Sequence, residues 1–270
     1  MTGDNSFTIQ NYKFWLDGYL KSNLDIFINE AIPNKWDGLF IMFGGEGSGK
    51  STLTSQLSLY LDHKFNMNYC VFTPQQFESV IDNCKDESSI QWDEAITGAN
   101  ASLHASNIQV SIISKLTQIR KKRLKIFLCF PYLSMLRRYF LERCLFGVYI
   151  YAKDFNDRGY ANFYSQPELL ELHYLMKEKY KYNPTKAIAK VKKSFYFKFC
   201  KTLCLNESEY DKKKESSRVE FEKNDKGNIW KFRFIDLIRK LRDNNKSSVQ
   251  ECAKYIGITK RALYEHIKEK

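Results

Sequence analysis

The chain reads as an α/β protein: a mainly parallel sheet with helices on both faces, followed by a small all-α domain. Three observations predict this. Short apolar runs alternate with amphipathic stretches from about residue 38 to 151, the pattern of consecutive βα units. A glycine-rich turn at 44–52 joins one apolar run to one such stretch. Residues 229–270 carry helix-period apolar spacing around Gly257, as a helix-turn-helix requires.

Within 1–34, Trp15, Leu16, Leu20, Leu24, Ile26, Phe27 and Ile28 recur at near-helical spacing, which predicts a helix over 9–32 that ends near Pro33. Leu39–Phe43 reads as a strand and 51–61 as the helix behind the glycines. A second strand at Tyr69–Phe72 stops at Thr73-Pro74, and 75–83 reads as helix. Ile90-Gln91-Trp92 is a weaker strand, followed by a helix over 105–121. Leu124–Phe130 is the clearest strand and ends at Pro131. A helix over 133–143 and a strand at 146–151 follow, and Asp157–Tyr160 reads as the turn of a hairpin with 160–164. The expected core is 35–170.

Residues 173–201 hold nine Lys, one Glu and seven aromatics. They read either as an amphipathic helix with aromatics in the core, or as a surface that stacks bases and contacts phosphates. With the polar stretch 206–228, they make a basic and aromatic helical extension and linker over 171–228.

The 270 residues are 43% hydrophobic and 27% charged, which excludes a collagen and a wholly disordered chain. No apolar stretch approaches the ~20 residues of a bilayer span. The N-terminus lacks the basic start and apolar run of a secretory leader. Seven dispersed cysteines without zinc-ligand spacing suit free thiols in a reducing cytoplasm. The net charge of +12 suits a polyanionic partner such as nucleic acid.

Gly44-Gly45-Glu46-Gly47-Ser48-Gly49-Lys50-Ser51-Thr52 fits G-x-x-x-x-G-K-[ST], with a strand before it and a helix after. Glycines let successive backbone amides curl around a phosphate, and the helix start adds free amides and a positive dipole end. Lys50 is expected on the β- and γ-phosphates, and the Ser51 hydroxyl on Mg²⁺. The fold expected is therefore a three-layer P-loop NTPase, with ATP or GTP and Mg²⁺ as ligands, since nothing in the loop selects the base.

Asp93 follows the strand at 90–92 and suits the carboxylate that holds the metal; Glu94 suits the base that polarises water. No Asn, Gln or Thr stands at the exit of the 124–130 strand to sense a γ-phosphate. Arg120-Lys121-Lys122-Arg123 reads three ways: an arginine finger, with Arg120 as candidate; a nucleic-acid contact; or cations suiting a helix C-terminus. Arg137, Arg138 and Arg158 are further finger candidates. In the tail, Thr259, Lys260, Arg261 and Tyr264 fall on the outward side of the second helix, suited to duplex DNA.

Gly44–Thr52, Trp92-Asp93-Glu94-Ala95 and the Arg120–Phe130 segment together resemble P-loop ATPases of viruses and plasmids, similar to the zonula-occludens-toxin-like and FtsK/HerA-like branches of the RecA-like class. Arg158-Gly159-Tyr160 and Phe163-Tyr164-Ser165 add to the likeness, which covers about residues 35–165. It implies a DNA-handling motor, often a homo-oligomeric ring, that packages, transfers or remodels mobile-element DNA. Two other readings stand beside it: an ATP-switched DNA-binding regulator or replication-initiation factor with slow turnover, and a small-molecule kinase. No Arg-rich lid pattern supports the kinase.

Overall fold

A computed structural model describes residues 5–93, 101–154, 157–180, 184–217 and 219. The chain divides into two compact units, Met1–Ser217 and Arg218–Lys270. The expected helix-turn-helix at 229–270 lies outside the described residues, so the fold below is that of the first unit.

The chain opens with a hairpin, β1 (Ser6–Ile9) and β2 (Tyr12–Trp15), paired antiparallel. This corrects the helix expected from residue 9. Gln10 and Asn11 both take positive φ, 51° and 74°, which matches the twist of a two-residue hairpin turn. Helix α1 (Gly18–Ile26) begins after Asp17, whose carboxylate accepts from the amides of Tyr19 and Leu20. It continues as a π-helical turn, Phe27–Ala31.

Seven strands then make one sheet: β3 (Gly38–Phe43), β4 (Cys70–Val71), β5 (Ser89–Trp92), β6 (Lys125–Phe130), β7 (Phe146–Tyr151), β8 (Tyr160–Ser165) and β9 (Phe195–Lys198). Their order is β4-β5-β6-β3-β7-β8-β9. The pairs from β4 through β7 are parallel; β7–β8 and β8–β9 are antiparallel. Helices α2 (Lys50–Leu61), α3 (Pro74–Asn83), α4 (Ala101–Lys121) and α5 (Arg138–Arg143) fill the parallel connections. Helices α6 (Gln166–Tyr174) and α7 (Pro184–Lys190) lie between β8 and β9. The expected α/β core with a mainly parallel sheet is present, and β6 stands between β3 and β5.

Each central strand serves two cores because successive side chains alternate. Leu39, Ile41 and Phe43 join Ile126, Leu128 and Phe130 under Phe77, Ile81, Ile112 and Leu169. Phe40, Met42, Phe127 and Cys129 face Leu20, Leu24, Leu53 and Leu57 on the other side. Phe40 and Phe127 stack there with ring centroids 4.7 Å apart.

The stretch 173–201 is also corrected: it holds a π-helical turn (Leu175–Lys179), α7 and the edge strand β9. Phe195 and Phe197 alternate with Tyr196 and Lys198, and the second pair is exposed. The pattern has period two rather than 3.6, so these aromatics extend the sheet beyond the boundary expected at 170.

The six described cysteines are free, and burial pushes the thiols of Cys144 and Cys204 up to about 12. No helix among the described residues is long and apolar enough to cross a membrane. No cluster of His, Cys, Asp and Glu among them suits a metal held by side chains of that kind alone.

His173 on α6 is buried, with Nε2 2.9 Å from the Leu136 carbonyl. Burial holds its pKa below the ordinary value of about 6.5. The folded protein therefore keeps a neutral ring while the unfolded chain takes up a proton. The resulting stability is full above about pH 6.5 and is lost as pH falls through the lowered folded value. Melting temperature is expected to fall between pH 7 and 5.5, and less steeply in His173→Gln. Equal slopes in the two proteins would remove His173 from the acid response.

Candidate active site

The site forms where β3 ends. That strand is flanked by β6 and β7, so the chain leaving it turns back between their ends. Gly44 has φ 151°, and its amide donates to the Phe130 carbonyl at 3.2 Å. A Cβ there would lie 2.0 Å from the Ile150 carbonyl oxygen, a distance no side chain tolerates. Gly49 closes the loop at φ 103° and α2 starts at the next residue. The unpaired amides and positive dipole end of that first turn sit at the loop.

Lys50 Nζ donates to the carbonyls of Gly44 and Gly45 at 2.8 and 2.9 Å, drawing the ammonium back across the loop. The buried Ser48 hydroxyl has no hydrogen-bond partner. An unused donor, an ammonium and the unpaired amides of a helix start are the chemistry a phosphate needs.

Asp93 stands at the exit of β5, 2% exposed, its amide donating to the Val71 carbonyl at 2.9 Å. It meets Ser51 through a third residue. The phenol oxygen of Tyr210 lies 3.0 Å from Ser51 Oγ, and the phenol donates to the Asp93 carboxylate. Ser51 and Asp93 thus present two hard oxygens to one spot beside the loop. That donor set fits Mg²⁺, which takes few protein oxygens and leaves the rest to water and phosphate. Burial, then the charge of Asp93, pushes the Tyr210 phenol well above its ordinary range, so it stays a proton donor at neutral pH.

The turn between β7 and β8 makes a third wall. Arg158, exposed, brings a guanidinium nitrogen to 3.9 Å from where a Gly47 side chain would begin. Phe199 holds the turn in place: its amide donates to the Gly159 carbonyl at 2.9 Å. The Phe199 ring lies 3.1 Å from where a Cβ on Gly49 would sit.

The structure therefore gathers the loop residues Gly45–Thr52, including Lys50 and Ser51, with Asp93. Arg120 is elsewhere. It lines a cleft of about 1070 Å³ at the N-terminal ends of β3 and β6, with Lys35, Trp36, Lys121 and Arg143. The basic run 120–123 divides by residue. Lys122 donates to the carbonyls of Ile81, Asp82 and Cys84 at the end of α3, and Arg123 pairs with Glu87 at 2.8 Å. Glu94, Thr259, Lys260, Arg261 and Tyr264 lie outside the described residues.

Sequence reasoning missed Tyr210 and Phe199. The available signal was α2 itself, whose Ser55 and Gln56 are fully buried. Polar side chains on such a helix need partners from a further segment. The partners come from the chain after β9. Gln56 Nε2 donates to the carbonyls of Cys200 and Thr202, and Ser55 Oγ accepts from the Cys204 amide.

No protein-family model matches the chain. No curated protein matches it either. Among solved structures, it is similar to the genome packaging NTPase B204 from Sulfolobus turreted icosahedral virus 2, determined in complex with AMP. That similarity has 13% sequence identity, covers 59% of this chain and 90% of that one, and has a TM-score of 0.28.

Proposed function

We propose that the protein binds a nucleoside triphosphate, ATP in the first instance, with Mg²⁺ at Gly44–Thr52 and hydrolyses it. The observation that carries this is the convergence of four things at the β3 and β5 exits. They are the glycine cradle, the Lys50 ammonium, the start of α2, and the oxygens of Ser51 and Asp93.

Lys50 would exchange its two backbone carbonyls for phosphate oxygens. The loop amides and the Ser48 hydroxyl would hold the β-phosphate region. Ser51 and Asp93 would hold Mg²⁺, which neutralises charge on the phosphate oxygens when bound. Glu94, next in sequence to Asp93, would take a proton from the attacking water. Arg158, whose guanidinium lies beside Gly47, would stabilise charge that develops on the transferred phosphoryl group. Arg120, at the opposite edge of its own sheet, would reach a γ-phosphate only in a second copy of the chain, as in a homo-oligomeric ring.

The finer reading is that hydrolysis is coupled to DNA handling. The net charge of +12 supports it, as does the cleft where Arg120, Lys121 and Lys35 surround Trp36, which is 60% exposed. Cations beside an exposed aromatic suit phosphates and bases together. Thr259, Lys260, Arg261 and Tyr264 in the tail would add contacts to duplex DNA.

Lys50→Ala is expected to weaken binding of a non-hydrolysable ATP analogue with Mg²⁺ at least tenfold in calorimetry, since a charge-assisted contact is worth about 1.5–3 kcal/mol. Unchanged affinity would sink the nucleotide reading.

For the DNA reading, the double variant Arg120→Ala/Lys121→Ala should bind DNA more weakly and with a shallower salt dependence. In the parent protein, added DNA should raise ATP turnover. Equal, slow turnover with and without DNA would favour the nucleotide-switched regulator instead.

A further inference from the structure

The segment after β9 crosses α2 and ends at the metal side of the site. Its attachment is continuous. Gln56 binds the carbonyls of Cys200 and Thr202 at 2.9 and 2.7 Å, and Ser55 accepts the Cys204 amide at 3.0 Å. Leu205 is buried in the core beside α2. The chain then turns into a helical run over 207–217. Lys213 on that run donates to the carbonyls of Met67 and Cys70 at 3.0 and 2.7 Å, and Ser217 accepts from Gln76 at 2.9 Å. Tyr210 lies between these anchors, its ring edge-on to Phe72 at 5.5 Å and its hydroxyl on both Ser51 and Asp93.

We propose that Tyr210 is a positioning residue that gates the cation: its phenol occupies the shared reach of Ser51 and Asp93 and must withdraw before a magnesium–nucleotide complex seats there. The proposal rests on the nucleotide reading above and adds a residue to it. Two physical terms point the same way. Asp93 is 2% exposed, and a buried carboxylate needs a partner. The phenol supplies that partner, so its charge-assisted bond competes directly with the cation for the same oxygen. Opening requires little of the rest of the segment. The backbone anchors at Ser55, Gln56 and Lys213 do not involve Tyr210, so a change at that side chain can clear the spot while the strap stays on α2.

Tyr210→Phe keeps the ring against Phe72 and removes only the hydroxyl. Calorimetry would use non-hydrolysable ATP and GTP analogues, each in MgCl₂ and in EDTA, on the full chain. With MgCl₂ the variant should bind about tenfold tighter than the parent, the worth of one charge-assisted bond. In EDTA the two proteins should bind alike, which a merely structural role for Tyr210 would not produce.

Binding with MgCl₂ that is equal or weaker in Tyr210→Phe would overturn the gate and leave the nucleotide site standing. Absence of any binding in both proteins, in MgCl₂ and in EDTA, would overturn both readings.

Discussion

The peptide of Gly44 is wedged between two neighbouring strands, and the rest of the site takes its position from that wedge. On one side its amide bonds the Phe130 carbonyl at the end of β6. On the other, the Ile150 carbonyl of β7 leaves no room for a side chain. The chain leaving β3 runs to β4 on one side of the sheet, whereas the chain leaving its neighbour β6 runs to β7 on the other. Open α/β sheets bind ligands at such a switch point because the loops leaving the strands diverge there. The same squeeze fixes where α2 begins and brings the β7–β8 turn, with Arg158, against the loop.

Helix α2 carries the second constraint. From Leu53 to Leu59 every residue is buried, so the helix has a sheet on one side and a chain segment on the other. Leu53 and Leu57 meet the sheet core. Ser55 and Gln56 meet backbone groups of Cys200, Thr202 and Cys204. A helix that starts at the glycine loop is thus held by a strap whose chain continues to Asp93 through Tyr210. Tyr210 lies on the helical run that follows this strap, with its hydroxyl on Ser51 in the first turn of α2.

The glycine loop was legible in the sequence because its chemistry is local. Spacing alone assigns amides, ammonium and hydroxyl to one turn, with a strand before and a helix after. The central strands were legible too, since 39–43 and 124–130 are continuous apolar runs that only a doubly covered sheet can bury. Asp93 came from its place at a strand exit. The N-terminal hairpin was hidden because Phe14, Leu16, Leu20 and Leu24 are all buried, a mixture of strand and helix spacing that imitates one long helix. Tyr210 was hidden for another reason. It lies 117 residues from Asp93 and 159 from Ser51, in a stretch whose Lys and Glu content reads as solvated. No local pattern encodes a contact over that separation.

Charge has to be read residue by residue in the same way. Lys122, Lys125 and Lys213 spend their ammonium groups on backbone carbonyls. Arg123 and Arg143 pair with Glu87 and Asp37. These cations build the fold, so the net charge overstates what a polyanion would meet. What remains available includes two groups at opposite edges of the sheet: Arg158 beside the glycine loop, and Arg120, Lys121 and Lys35 in the cleft that Trp36 also lines. β3 and β6 run between them, in register from Gly38↔Lys125 to Phe43↔Phe130. On the proposed reading, a nucleotide at one edge and a nucleic acid at the other would be joined by two paired, fully buried strands.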